Sequence, residues 1–498
     1  MIRLLLALSA AAFAVPAFAQ DAASPSDKKP EQPIPPPLVS ATRHTGTFGG
    51  ARVAFTATAG ETYLKGEDGT PKASIFSTAY VKDARDPNRP VTFLFNGGPG
   101  SGSVWLHMGA FGPKRVAIPS DARDDGAPPF PIVDNPDSLL DVTDIVFIDP
   151  VGTGFSHALG KTDPKEYWGV TQDAKSVAEF IRIWLNENGR WNSPKYLGGE
   201  SYGTTRSAAV VNQLEGQFND VSLNGIILIS TILDFGAQAN VPGNEMPYVL
   251  YLPSMAAAAY HHGKAPADAG TLEAFVEEAR RFAIGDYASA LLQGQALKGE
   301  RRADIRRRLA RFTGLSEQFL EEADLRVSDS RFYKQLLRDR GLTIGRLDAR
   351  YTGRDYDNAG EEPDNDPSFY GIDAGYTAAI NSWVRDGLKF NTERHYTTIG
   401  PVGDWDWNLG GGEGKYYKNV APYLAKAMRE NSGLKVFVAQ GYFDFATPFF
   451  GAEYALSRTG VPAERVQFAY YGSGHMVYVR DEDRAKLSRD IRAFIRSR

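Results

Sequence analysis

Residues 199–203 read GESYG, a serine with a glycine two residues away on either side. A strand-to-helix turn sharp enough to present a serine hydroxyl at its tip leaves no room for side chains at those flanking positions, which is the physical content of the G-x-S-x-G pattern. Alone the pattern is weak, because glycine-rich turns carrying a serine are common. A nucleophile at Ser201 needs a base, an acid to orient that base, and N–H donors for a developing oxyanion. The chain has seven histidines, and His475 stands in GSGHM directly after the strand-like run VQFAYY at 466–471. Asp444, in QGYFDFATP, leaves the preceding apolar run LKVFVA at 434–439. The order Ser201, Asp444, His475 is the order of an α/β hydrolase. Asp149 also follows a strand-like run but precedes the serine and reads as structural, while Asp481 and Asp483 fall on the next helix.

The oxyanion donors are expected from the backbone of Tyr202, at the start of the outgoing helix, and from a loop after an earlier strand. VTFLFNGGPGSGS at 91–103 supplies that loop. Its consecutive glycines let backbone N–H groups approach a carbonyl oxygen without interference from Cβ, and Gly98 is the expected second donor. In the resulting chemistry His475 takes the Ser201 proton as the hydroxyl attacks a carbonyl. Asp444 stabilises the charged imidazole, and water later releases the acyl group with His475 again as base.

The elements that must hold these residues follow from hydrophobic pattern. VTFLF (91–95), DIVFID (144–149), GIILIS (225–230), LKVFVA and VQFAYY read as strands, most of them buried on both faces. The residues PKYLG lead into the elbow as a short strand, and TTRSAAVVNQLEG suits a helix after it. At 171–189, Val177, Phe180, Ile181, Trp184 and Leu185 recur at helical spacing, with Gly189 as the stop. Strand alternating with helix predicts an α/β sheet covered on both sides, with a core split between 42–233 and 396–498. Between them, 234–395 breaks the rhythm and reads as a mainly helical cap insertion. Its run RRADIRRRLARF (301–312) places Ile305, Leu309 and Phe312 on one face, so an amphipathic, solvated helix is expected rather than a nucleic-acid patch. NAGEEPDNDPSF (358–369) reads as a loop without EF-hand spacing. The pair His261-His262 reads as the end of a helix before Gly263, not as metal ligands, since adjacent helical residues point apart. Within 244–263, Tyr248, Tyr251 and Leu252 are candidates for an apolar pocket wall.

The whole chain sets further bounds. Its 498 residues, 42% hydrophobic, are ample for a large core, and a net charge of −5 gives no support for nucleic acid or an anionic membrane as partner. There are no cysteines, which excludes thiolate catalysis, zinc–thiolate sites and iron–sulfur clusters; the mechanism calls for no metal or organic cofactor. Residues 1–19 carry Arg3, an apolar stretch and the ending Ala17-Phe18-Ala19, the form of a secretory signal cleaved after Ala19. Residues 20–41, rich in proline, lysine and serine, are expected to be a disordered linker. The expected location is therefore exported, periplasmic or extracellular, with no membrane attachment after cleavage. Oligomeric state is not legible.

The ordered combination FNGGPGSGS, DPVGTGFS (149–156), GGESYG, QGYFDFATP and GSGHM resembles the serine carboxypeptidase family, peptidase family S10. The resemblance implies an α/β-hydrolase fold with a helical cap, and removal of single residues from the C-termini of peptides and proteins. It also implies that Asn96 and Glu200 hold the substrate's terminal carboxylate. A carboxyl pressed against a carboxylate must be protonated to share a hydrogen bond, so tighter binding is expected at mildly acidic pH. The sequence departs from the family pattern at Phe95, where tryptophan is usual, and at Ser101, where cysteine is common. Ala110 falls where carboxypeptidases often carry a second carboxylate-binding glutamate. An esterase or acyltransferase using the same triad is the alternative. A non-catalytic binding module is disfavoured by the presence of all three triad residues.

Overall fold

Strand pairing explains why segments more than 100 residues apart in sequence meet at one edge. The computed structural model of the chain describes residues 33–84, 86–216, 218, 220–409 and 417–497. The signal sequence expected at 1–19, and residues 20–32 of the linker, lie outside the described residues. Fourteen strands occur among those described: β1 Val39–Phe48, β2 Ala51–Lys65, β3 Pro71–Lys82, β4 Val91–Phe95, β5 Lys114–Val116, β6 Ile132–Asp134, β7 Asp144–Asp149, β8 His157–Ala158, β9 Lys195–Ser201, β10 Gly225–Thr231, β11 Thr343–Ile344, β12 Thr352–Gly353, β13 Lys435–Gly441 and β14 Val466–Tyr471. The main sheet runs β1-β2-β3-β7-β4-β9-β10-β13-β14, with β8 paired to β3. From β7 to β14 every neighbouring pair is parallel, while β1, β2, β3 and β7 pair antiparallel. This mostly parallel sheet flanked by helices is an α/β-hydrolase fold.

The strands expected from apolar runs are present at their predicted places, and β4, β7 and β10 are buried along their whole length. Helix α1, Val170–Glu187, buries the expected stripe of Val177, Phe180, Ile181, Trp184 and Leu185, and Gly189 follows it at φ 62°. Together with α2, Tyr202–Leu214, it covers one face of the sheet. The C-terminal helix Asp481–Arg496 covers the other, with Leu487, Ile491 and Phe494 in a second core.

Two boundaries differ from the sequence reading. Strand β1 starts at Val39, so residues 39–41 of the expected linker are paired backbone, facing β2 from Val39↔Gly60 onward. Residues 372–395, assigned to the insertion, send Ile372, Tyr376, Ile380 and Trp383 into the sheet core. The helices from α3, Met246–His261, to Gln335 gather a separate core with Phe275, Phe282, Phe312 and Phe332. Phe443 and Phe445, which flank Asp444, belong to that same cluster.

The arginine-rich helix Gly299–Thr313 buries Ile305, Leu309 and Phe312. Its arginines are ion-paired, Arg302 with Glu321 and Asp324, Arg306 with Glu317 and Glu321, and Arg311 with Asp268 and Glu278. His261 and His262 close α3 with their rings at 88° to each other, and His262 Nε2 sits 2.6 Å from the Ala349 carbonyl oxygen. No helix among the described residues is long and apolar enough to cross a membrane.

Candidate active site

Because β4, β9, β10, β13 and β14 run parallel, their C-terminal ends lie along one edge of the sheet, and the loops leaving them share it. Register aligns Phe95 with Gly199 and Gln440 with Tyr470. The loops of Asn96, Ser201, Asp444 and His475 therefore emerge side by side. A cavity of about 430 Å³ opens there, lined by Asn96, Gly98, Glu200, Ser201, Tyr202 and His475 among others.

Ser201 ends β9 at φ 60°, ψ −130°, and α2 starts at the next residue. A non-glycine residue there is strained by about 1–3 kcal/mol, held by its surroundings. The surroundings are tight. A Cβ on Gly199 would lie 2.1 Å from the Gly203 carbonyl oxygen, so the glycines of the motif are required for the chain to pass itself. A Cβ on Gly97 would lie 2.5 Å from the Tyr202 nitrogen, which shows how closely the glycine loop after β4 sits against the expected oxyanion donor.

His475 Nδ1 and Asp444 Oδ2 are 2.8 Å apart, with Asp444 fully buried and His475 5% exposed. That bond leaves Nε2 for the Ser201 hydroxyl. Asp444 is itself fixed by Thr447, whose N–H donates to Oδ1 (2.9 Å) and whose hydroxyl donates to Oδ2 (2.7 Å). The His475 N–H donates to the Leu347 carbonyl (2.6 Å), and the His475 carbonyl accepts from the Ser230 hydroxyl. Burial works to lower the imidazole's pKa, but the Asp444 carboxylate, helped by Glu200, outweighs it and leaves the pKa above the ordinary histidine value. This is the electrostatic setting of a base whose charged form is stabilised once it has taken a proton.

Glu200 is 4% exposed, and its Oε1 accepts from Asn96 Nδ2 at 2.9 Å. The Asn96 amide cannot swing, because its Oδ1 accepts from the Leu106 N–H (3.0 Å). Glu200 Oε2 has no hydrogen-bond partner among the described residues. Burial raises the Glu200 pKa to about 7, against the opposing pull of His475, the nearby Tyr478 hydroxyl and Asn96. A carboxyl that stays protonated in mild acid, beside a fixed amide N–H, has the chemistry to share a hydrogen bond with a second carboxylate.

Residues that sequence reasoning missed support these groups. Arg206, fully buried, pairs with Asp173 (2.6 Å), donates to the Asn96 carbonyl, and lies between the rings of Phe95 and Tyr202. Asp149, the acid set aside as structural, accepts from the Ser103 N–H (2.7 Å) and the Tyr396 hydroxyl (3.1 Å), and so ties down the end of the glycine loop. Burial lifts its pKa to about 6. Thr447, Tyr478 and Arg206 carried no readable signal, since their partners lie in other segments. Tyr248, Tyr251 and Leu252 do not line the cavity; Tyr251 and Leu252 are buried, with the Tyr251 ring 6.2 Å from that of Phe445.

The first half of the site lies in a stretch that matches known proteins. Residues 52–271 match the family described as serine carboxypeptidase. Over that span, somewhat less than half of the chain, the sequence is similar to serine carboxypeptidases. Two curated relatives, Serine carboxypeptidase-like 13 and Serine carboxypeptidase-like 16 of Arabidopsis thaliana, are each 27% identical, over 172 and 169 residues. Those stretches cover 34% and 32% of this chain and 38% of each relative. The crystal structure of a prohormone-processing carboxypeptidase from Saccharomyces cerevisiae is similar over 89% of this chain and 91% of its own, with 17% identity and a TM-score of 0.54. The shared fold thus extends over both parts of the sheet, including the strands that carry Asp444 and His475. Ala110, the departure from the carboxypeptidase pattern, is buried in the turn of helix Leu106–Phe111 and does not line the cavity.

Proposed function

We propose that this chain is a serine-type carboxypeptidase that hydrolyses C-terminal peptide bonds through an acyl-enzyme on Ser201. The observation that carries the reading is the Asn96–Glu200 pair, which lines the same cavity as Ser201 and His475 and offers a fixed N–H beside a protonatable carboxyl. A substrate whose terminal carboxylate sits there presents its last peptide carbonyl to the serine. His475 accepts the Ser201 proton at Nε2 as Oγ bonds to the carbonyl carbon. The Gly98 and Tyr202 N–H groups take the negative charge of the oxygen, and His475 returns the proton to the departing amine. Water then repeats the sequence in reverse and frees the shortened peptide. Asp444 holds the imidazole tautomer throughout.

The test compares an N-blocked dipeptide with its C-terminally amidated twin, using Ser201→Ala as control. Cleavage of the free acid alone, lost in the variant, is the expected result. Equal cleavage of both would mean that the pair at Asn96 and Glu200 does not select a C-terminus. Ala110 gives one specific reason to keep esterase or acyltransferase action as a second reading, because that position supplies no second carboxyl to the clamp. Turnover of simple esters without peptide cleavage would select it. We also infer export with cleavage after Ala19; a mature protein isolated from the cell interior with Met1 intact would exclude it.

A further inference from the structure

The cavity around Ser201 contains one arginine, and nothing in the chemistry above uses it. Arg346 is the single Lys or Arg among the residues that line the cavity. It follows the short strand β11 in the segment that crosses from the helical insertion to the catalytic loops. Its backbone is pinned from two sides: the N–H donates to Asp366 Oδ1 (3.0 Å) and the carbonyl accepts from the Phe445 N–H (3.1 Å). The guanidinium, by contrast, makes no hydrogen bond or ion pair with any described residue, and Arg346 is exposed within the site. Buried arginines elsewhere in the fold are paired, as Arg206 is with Asp173 and Arg350 with Asp348.

The other charged residue at this end of the cavity wall is already committed. Asp366 also lines the cavity, but its oxygens accept from the N–H groups of Arg346, Leu347 and Ser368 and from the Ser368 hydroxyl. It serves its own turn. Much of the remaining wall is apolar, with Trp105, Ile232, Phe235, Phe369 and Ile399. A free guanidinium against such a wall binds an anion more strongly than the same group in bulk water, and its planar fork suits a carboxylate. The position is close to the chemistry: the next residue, Leu347, accepts the His475 N–H.

We propose that Arg346 is a specificity-determining residue that selects peptides carrying an acidic side chain next to the scissile bond. The proposal rests on the carboxypeptidase reading and adds a second anion subsite to it. Asn96 and Glu200 take the terminal carboxylate, and Arg346 takes a side-chain carboxylate one residue to either side of the cleaved bond.

The experiment measures binding and turnover separately. In the Ser201→Ala protein, calorimetry compares N-blocked Glu-Leu, Leu-Glu and Leu-Leu, each with a free C-terminus. One glutamyl peptide is expected to bind about 10- to 100-fold tighter than Leu-Leu, the range of a charge-assisted pair. Adding Arg346→Ala should bring the peptides to within about threefold of one another, and Arg346→Glu should shift preference to a lysyl peptide. Since the guanidinium holds no other part of the fold, these variants should melt with the parent. Equal affinity of the three peptides for the Ser201→Ala protein would overturn the proposal, as would an Arg346→Ala variant that weakens all three alike. Turnover with Ser201 intact tests the underlying reading: hydrolysis without acidic preference sinks the Arg346 proposal alone, whereas acidic preference in binding without hydrolysis of any peptide sinks the peptidase reading alone.

Discussion

Replacing Glu200 by glutamine should remove the pH dependence of substrate binding without removing the site. Glu200 has a pKa of about 7 in the fold, against an ordinary 4.5, chiefly because it is buried. The protonated form is the one that shares a hydrogen bond with a substrate carboxylate. If binding requires it, KM for a free-acid dipeptide is nearly constant up to about pH 6, doubles near pH 7 and rises about 10-fold by pH 8. Glutamine donates an N–H at every pH, so the variant's KM should stay flat. His475 acts on every substrate alike, so the ratio of free-acid to amidated or ester substrate isolates Glu200. The same shift carries a stability signature. A carboxyl whose pKa is raised by folding keeps its proton longer in the native state, so its contribution to stability is fullest below pH 4.5 and is lost as pH rises through 7. That contribution is about 3 kcal/mol across the window, and Glu200→Gln should lessen the slope in urea unfolding by about that amount. A wild-type KM ratio that is level from pH 5 to pH 8 would refute both the protonated carboxyl and its role.

Three other outcomes follow from the geometry. Asp444→Asn should lower kcat by about 10⁴-fold with KM little changed, because the 2.8 Å bond to His475 Nδ1 would then enforce the wrong tautomer or none. Thr447→Val removes one of the two donors that Thr447 gives the Asp444 carboxylate, and kcat should fall by about 10-fold while thermal unfolding moves by only a few degrees. Gly199→Ala places a Cβ 2.1 Å from a backbone oxygen and should destabilise the protein by about 3 kcal/mol or more, read as a lowered urea midpoint.

The parts of the molecule that were legible share a physical cause. Strands β4, β7 and β10 are buried on both faces, so their apolar runs are continuous and stand out. Ser201, Asp444 and His475 each stand at or just after the end of a strand of the same sheet, and their order in sequence follows from the order of the strands. Strands β1 and β2 were not read because their residues alternate exposed, half-buried and buried, and TATAGETYLK is built largely from small and polar residues. Arg346, Thr447 and Tyr478 were missed for another reason. Each acquires a role only from neighbours the fold supplies, such as the Asp444 oxygens for Thr447 or the cavity wall for Arg346. Residues 372–395 misled because their helical pattern looks the same whether it faces a cap or a sheet.

The short segment 345–350 bridges the Asp444 and His475 loops. Arg346 accepts from Phe445, Ala349 donates to Phe443, Leu347 accepts from His475, and the Asp348 carboxylate accepts from Gly474. One stretch of backbone is therefore both a wall of the substrate chamber and a splint across the catalytic pair. Exchange of the insertion for that of a relative would not be a modular graft. A new chamber would arrive with a new splint, so variants selected for altered substrates should show losses in turnover number that compensating changes at 345–350, rather than at Ser201, restore.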